Sequence, residues 1–152
     1  MIYFDTSALV RAFRLGAAPK GVTRSHAVAE FYATLTGRGI TVDLPAGRAQ
    51  LVLSPAETET AIQQTFANIT WRDLSPAEAL ATAKEAAAAN IQGASIHDWF
   101  HASAASAAKA SGLTTLNEKH FLKLSTGLKL IPINAALKGA PCLMRSKRCA
   151  CR

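Results

Sequence analysis

Four side chains with oxygen donor atoms occur where a fold could gather them around one ion. Asp5 and Asn117 each directly follow a short apolar run, and Glu30 and Asp98 lie in or at the start of helical patterns. Because open α/β sheets bind ligands at the carboxyl ends of their strands, Asp5 is expected to face such a crevice. Three carboxylates and one amide around a pocket indicate a hard divalent cation and phosphodiester chemistry.

Each of the four residues also has a structural interpretation that the sequence leaves open. Asp5 and Asn117 occupy positions of helix N-caps, where an Asp or Asn side chain contributes about 1 kcal/mol. Asp98 is the third helical position of a helix that Ser95 would cap, so it could complete a capping box or complement the helix dipole. Glu30 lies at the edge of an apolar helical stripe, where a carboxylate either reaches solvent or has a partner.

The triplet Asp5-Thr6-Ser7 occurs in other enzyme classes. Aspartic proteases use Asp-Thr-Ser, but they need two aspartates that share a proton within an all-β fold. Here the helical pattern Ala8–Phe13 follows the triplet, and a haloacid-dehalogenase phosphatase would have a second aspartate where Ser7 stands. The residues around the triplet therefore disfavour both classes.

Two capping boxes with proline at the first helical position are the clearest local signals in the chain. They are Ser54-Pro55-Ala56-Glu57 and Ser75-Pro76-Ala77-Glu78, and they predict helices over Pro55–Ala67 and Pro76–Ala89. Further helices are predicted over Ser25–Thr36, ended by Gly37, and from Ser95 to about Gly112; strands are predicted at Ile2–Phe4, Ile40–Val42, Ile69–Trp71, Leu113–Leu116 and Leu128–Ile131. This alternation of strands and helices predicts an α/β fold whose parallel sheet is covered on both faces.

The bulk composition is that of a globular protein with one main domain. The chain has 152 residues, of which 49% are hydrophobic and 18% charged, and this balance argues against wholesale disorder. No run approaches the roughly 18 apolar residues of a transmembrane helix, and the N-terminus lacks the pattern of a signal peptide. We therefore expect a cytoplasmic protein without a membrane anchor.

The net charge of +7 is concentrated near the C-terminus. Five of the seventeen basic residues lie from Lys138 onward, where there is no acidic residue, whereas residues 1–137 carry twelve basic and ten acidic groups. Cys142, Cys149 and Cys151 also lie there, so a disulfide framework for the core is not expected, and their spacing disfavours a zinc site. We predict a flexible, basic, Cys-containing tail over residues 135–152, which could add nonspecific phosphate affinity.

Four sequence blocks together resemble the PIN-domain nucleases, and most closely the VapC-type toxins of bacterial toxin–antitoxin pairs. The blocks are Asp5-Thr6-Ser7-Ala8-Leu9-Val10, Ala29-Glu30-Phe31-Tyr32, His97-Asp98-Trp99-Phe100-His101-Ala102-Ser103-Ala104 and Thr115-Leu116-Asn117-Glu118-Lys119-His120-Phe121. They occur in the family's order and spacing, so residues 1–134 are predicted to form a PIN-like nuclease domain. The implied fold is a three-layer α/β/α structure with a central, mostly parallel sheet of about five strands.

The resemblance also implies a metal site. In the family, residues matching Asp5, Glu30, Asp98 and Asn117 surround Mg²⁺ or Mn²⁺. Asp5 and Asp98 would be the closest ligands, and Glu30 and Asn117 would hold water around the ion. The family often has a further aspartate where this chain has His120, and that departure removes a negative charge and puts a second metal ion in doubt.

The implied activity is hydrolysis of single-stranded or loop RNA, which leaves a 5′-phosphate and a 3′-hydroxyl. The implied partners are a second copy of the chain and a small antitoxin, with the helices predicted over Pro55–Ala67 and Pro76–Ala89 lining the groove or the dimer face. Two alternatives stay open: a PIN fold that binds RNA or protein without cutting, and a DNA-directed or structure-specific nuclease. Candidate phosphate contacts are Arg11, Arg14, Lys20, Lys119 and Lys123.

Overall fold

The computed structural model describes residues 1–44, 47–124 and 127–141. Its strands are β1 (Ile2–Phe4), β2 (Gly21–Thr23), β3 (Ile40–Leu44), β4 (Gly47–Leu51), β5 (Ile69–Trp71) and β6 (Gly112–Thr114). Its helices are α1 (Thr6–Arg14), α2 (His26–Ala33), α3 (Pro55–Phe66), α4 (Pro76–Ala88), α5 (Ser95–Ala107), α6 (Glu118–Lys123) and α7 (Ile133–Ala136).

Four strands form the central sheet, in the order β5-β2-β1-β6, and all of its pairs are parallel. Tyr3 in β1 lies opposite Val22 on one side and Leu113 on the other. β3 and β4 form a separate antiparallel pair. The predicted α/β class with a central parallel sheet is therefore confirmed.

The fifth strand predicted over Leu128–Ile131 is wrong as a full strand. Within the described residues only Leu130 bridges the sheet there, in parallel with Leu113. Leu113 donates its amide to Lys129 and accepts from the amide of Ile131, which are the two hydrogen bonds of a single bridge. Pairing stops there because β6 is only three residues long and Pro132, which has no N–H, leads directly into α7.

The sheet separates two apolar layers because successive side chains of a strand point to opposite faces. Phe4 packs on one face with Leu9, Phe31 and Phe66, side chains that come from α1, α2 and α3. On the other face Tyr3 packs with a cluster that includes Val22, Ala102, Ala105, Leu113 and Phe121, in which α5 and α6 take part. This arrangement is the predicted three-layer α/β/α structure.

Both predicted capping boxes are present, at Ser54 with Glu57 and at Ser75 with Glu78. Three predicted helix boundaries are wrong. α5 ends at Ala107, before the predicted end near Gly112, which is the first residue of β6. The N-cap of α5 is Ala94, which has no capping side chain, so Ser95 is the first helical residue and Asp98 the fourth. α2 continues past Gly37 in one π-helical turn, Thr34–Arg38, and the chain leaves the turn at Gly39, whose φ of 68° favours glycine.

The predicted boundary between residues 134 and 135 falls inside α7. Ile133, Ala136 and Leu137 pack against the Phe4 layer, and Pro141 accepts a hydrogen bond from the amide of Ala18 at 2.9 Å. The three cysteines lie outside the described residues. Among the described residues no helix combines the length and apolar character that a membrane span needs.

Candidate active site

An open cavity of about 680 Å³ lies at the carboxyl end of β1 and β6, and all four predicted site residues line it. Asp5 directly follows β1 and caps α1, and Asn117 follows β6 and precedes α6. Glu30 comes from α2 in one layer and Asp98 from α5 in the other. Parallel strands place these residues at one edge because all their carboxyl ends point the same way.

Asp5 is almost completely buried and is fixed by four hydrogen bonds. Its Oδ1 accepts from the amide of Ala8 at 2.8 Å and from the hydroxyl of Ser7 at 2.9 Å. Its Oδ2 accepts from Thr115 at 2.6 Å and from Ser7 at 3.1 Å. Ser7 and Thr115 are themselves tied to the backbone, since they accept from the amides of Leu116 and Asn117. The N-cap interpretation of Asp5 is confirmed, and the carboxylate is held in one orientation at the cavity wall.

Burial raises the pKa of Asp5 because it removes the charged form from water. The hydrogen bonds from Thr115, Ala8 and Ser7, together with the nearby His101, oppose that increase without cancelling it. A charged Asp5 is therefore costly in the protein alone. A cation beside it would favour the ionised form.

Glu30 is one-quarter exposed and uses its two carboxylate oxygens differently. Oε2 accepts from the hydroxyl of Thr6 and lies 3.2 Å from Nε2 of His101. Oε1 lies 3.5 Å from Nε2 of His26 and 3.4 Å from Nδ1 of His97. Glu30 is therefore a partnered carboxylate, not a solvated surface residue.

Burial would raise the pKa of Glu30, but hydrogen bonds from His101 and Thr6 and the charges of His101 and His26 lower it to about 2. His101 is buried, and its Nδ1 lies 2.9 Å from the hydroxyl of Tyr3. Burial raises the pKa of Tyr3 well above its usual range. The neutral phenol thus orients the imidazole, and the imidazole holds Glu30.

Asp98 and Asn117 have fewer hydrogen-bond partners than Asp5 and Glu30. Oδ2 of Asp98 lies 3.2 Å from Nδ1 of His120, an exposed imidazole, and the Asp98 side chain is 15% exposed. Asn117 stands at the N-cap position of α6, but its side chain makes no capping hydrogen bond. The amide oxygen of Asn117 is therefore not committed to the helix.

The basic side chain that lines the cavity is not one of the phosphate contacts predicted from the sequence. Arg38, in the π-helical turn after α2, lines the cavity, whereas Arg11, Arg14 and Lys20 do not. Lys119 lines a neighbouring depression together with Asn117 and His120. The side chain of Lys123 lies outside the described part of the structure.

The sequence interpretation gave no role to three histidines that the structure brings to Glu30. The chain has four histidines; three contact Glu30 and the fourth, His120, contacts Asp98. The available signal was spacing. His26 precedes Glu30 by four residues and His97 precedes His101 by four, so each pair shares one helical face.

The donor set at Asp5, Asp98 and Asn117 fits a hard divalent cation such as Mg²⁺ or Mn²⁺. It offers carboxylate and amide oxygens on an open cavity. Neither the Asp98 nor the Asn117 side chain caps its helix, so each has an oxygen available to an ion. Glu30 fits an outer position better, because Thr6 and three imidazoles already surround its carboxylate.

The chain matches no protein-family model and no curated protein.

Proposed function

We propose that the chain is a metal-dependent endoribonuclease of the PIN type, which hydrolyses phosphodiester bonds of single-stranded or loop RNA and acts as the toxin of a type II toxin–antitoxin pair. One observation carries the proposal. Asp5, Asp98 and Asn117, which are distant in the sequence, line the same open cavity at the carboxyl edge of a parallel sheet. The sequence blocks that resemble PIN nucleases supply the expectation of RNA as substrate.

In this proposal Asp5 and Asp98 hold the ion, and Glu30 and Asn117 orient water around it. Bound there, Mg²⁺ or Mn²⁺ would offset charge on the phosphate and make a water more acidic. Asp5 suits the role because the Ser7 and Thr115 hydroxyls fix its carboxylate, so little reorganisation is needed. Arg38, at the cavity wall, is placed to contact a phosphate of the RNA strand.

His120 has a distinct part in the proposed reaction. Its Nδ1 lies 3.2 Å from Oδ2 of Asp98, so this contact orients the ring and leaves Nε2 free to face the substrate. We assign Nε2 to the 3′ oxygen that leaves when the phosphodiester bond is broken, where an N–H donated to that oxygen would act as the general acid. A histidine at this position adds a proton donor where the resembling family often has another carboxylate.

A cleavage assay tests the activity. The purified chain with Mg²⁺ or Mn²⁺ should cut a fluorescent single-stranded RNA, and Asp5→Asn and Asp98→Asn should each reduce the rate by about 10²-fold or more, since each removes charge that positions the ion. Glu85→Gln, an exposed carboxylate on α4, is the matched control and should cut normally. Unchanged cleavage in both aspartate variants would disprove the proposed site.

A non-cleaving PIN-fold module that binds RNA or protein is the second candidate, and the histidines favour it. Imidazoles that contact Glu30 and Asp98 can offset carboxylate charge without any metal ion. The same assay separates the two functions. A binding module would shift the RNA in a gel and leave it whole at every metal concentration.

We also propose a homodimer and a small antitoxin as protein partners of a cytoplasmic toxin. Large apolar side chains stand exposed on the surface, among them Leu80 of α4, which is 75% exposed, and Trp71 of β5. A basic side chain of an antitoxin would suit the carboxylate-lined cavity. Light scattering should give twice the chain mass, and Leu80→Glu should lower that mass if α4 forms the dimer face.

A further inference from the structure

The side chains of His26, Glu30 and His97 converge on one point at the edge of the cavity. One ligand atom from each residue lies within 4.8 Å of the others. His26 and Glu30 are one turn apart on α2, and His97 comes from α5. All three are accessible to solvent, with side-chain exposures of 45%, 25% and 55%.

The spacing around Glu30 Oε1 suits a shared ion better than direct hydrogen bonds. Its distances to His26 and His97, 3.5 and 3.4 Å, exceed the roughly 3.2 Å limit of a good N–H···O hydrogen bond. Ligands bound tetrahedrally to zinc at about 2.0–2.1 Å lie about 3.3–3.4 Å from one another. The two observed separations are close to that edge length.

The other carboxylate oxygen of Glu30 already has the partners that a metal ligand usually has. Oε2 is held by Thr6 and by Nε2 of His101, and His101 is held in turn by the Tyr3 hydroxyl. Such outer contacts orient a ligating carboxylate and commonly change metal affinity 10–100-fold. Oε1 is thereby left directed at the two imidazoles.

We propose that His26, Glu30 and His97 bind a transition-metal ion, with Zn²⁺ as the expected occupant. Two imidazoles and one carboxylate suit Zn²⁺ and similar borderline-soft ions, whereas Mg²⁺ prefers oxygen donors only. Three protein ligands leave a fourth position for water or for a phosphate oxygen, toward the cavity that His97 and Glu30 line. The ion would tie α2 to α5 and so connect the two layers across the sheet edge.

This site goes beyond the proposed nuclease activity and does not depend on it. The oxygen donors of Asp5, Asp98 and Asn117 would hold the hard cation, and the imidazole pair would hold the softer one. Glu30 takes part in both sites. Binding of Zn²⁺ to Glu30 would therefore fix the side chain that orients water around the Mg²⁺ or Mn²⁺ ion.

The test is Zn²⁺ binding to the full-length chain, measured by equilibrium dialysis and by the absorption of Co²⁺ used as a zinc substitute. Because thiolates also bind zinc, the measurements use a chain in which Cys142, Cys149 and Cys151 are replaced by serine. We expect one ion per chain and an increase in Tm on adding Zn²⁺. A ligand that binds the folded state and not the unfolded state stabilises the folded state.

His26→Ala and His97→Ala should each weaken Zn²⁺ binding by at least about 10–100-fold. Loss of a residue that only orients a metal ligand already has an effect of that size, and these two residues are ligands themselves. His120→Ala is the matched control, since it removes an exposed imidazole of the same cavity that lies on Asp98. The site would be overturned if Zn²⁺ does not bind, if binding is unchanged in both His26→Ala and His97→Ala, or if His120→Ala weakens it equally. Asp5→Asn should retain Zn²⁺ binding although it loses cleavage, so failure of one proposal is visible separately from failure of the other.

Discussion

Replacing Glu30 by glutamine should destabilise the fold in a way that depends on pH. Glutamine keeps the size of the side chain and one carbonyl oxygen, but it loses the charge that Thr6, His26, His97 and His101 surround. The pKa of Glu30 is lowered from 4.5 to about 2 in the folded protein. Because the folded-state pKa is the lower one, the ionised group stabilises the fold above pH 4.5, and that contribution is lost as the pH falls through about 2.

The magnitude follows from the two pKa values. One pKa unit corresponds to about 1.36 kcal/mol, so the full contribution of Glu30 to the free energy of unfolding is at most about 3.4 kcal/mol. The same linkage relation gives about 3.2 kcal/mol at pH 5 and about 1.4 kcal/mol at pH 3. Glu30 is partly exposed and solvent screens its interactions, so we expect about 1–3 kcal/mol at pH 5 and roughly half of that at pH 3.

Urea denaturation of the wild-type chain and of Glu30→Gln, at pH 5 and pH 3 in the presence of a chelator, measures this difference. Glu85→Gln serves as the control for removal of an exposed carboxylate from a helix and should change stability by less than about 0.5 kcal/mol. A Glu30→Gln variant as stable as the wild type at pH 5 would show that the imidazoles do not hold the carboxylate. A difference that grows on acidification would contradict the sign of the pKa shift.

Three further substitutions test Asp5, the hydroxyl that holds it and the packing of the sheet that carries the site. Asp5→Asn should raise Tm in metal-free buffer, because burial raises the pKa of Asp5 and the variant removes a costly charge; a lower Tm would contradict that account. Ser7→Ala should cost about 1–3 kcal/mol in urea, since the hydroxyl donates to Asp5 and accepts from the amide of Leu116; no change would mean that water replaces it. Gly21→Ala should cost about 1–3 kcal/mol in thermal melts, because the added Cβ would lie 2.5 Å from the carbonyl of Ile2, and a neutral effect would imply that β1 and β2 can separate locally.

Elements whose signals lie within a few neighbouring residues could be predicted from the sequence. The boxes at Ser54 and Ser75 set the starts of α3 and α4, because their hydrogen bonds span three residues and need no other part of the fold. The apolar run before Asp5 gave β1 for the same reason. The predicted end of α2 at Gly37 is wrong, since a π-helical turn over Thr34–Arg38 follows the helix and Gly39 is the C-cap of that turn.

The sequence by itself determined the alternation of strands and helices, and hence which residues follow a strand end. Only the tertiary structure decided that His101, 71 residues away in the sequence, would lie on Glu30, and that His97 would join it there. The reason is geometric. Spacing along one helix fixes which side chains share a face, but the position of α2 relative to α5 depends on how both helices pack across the sheet.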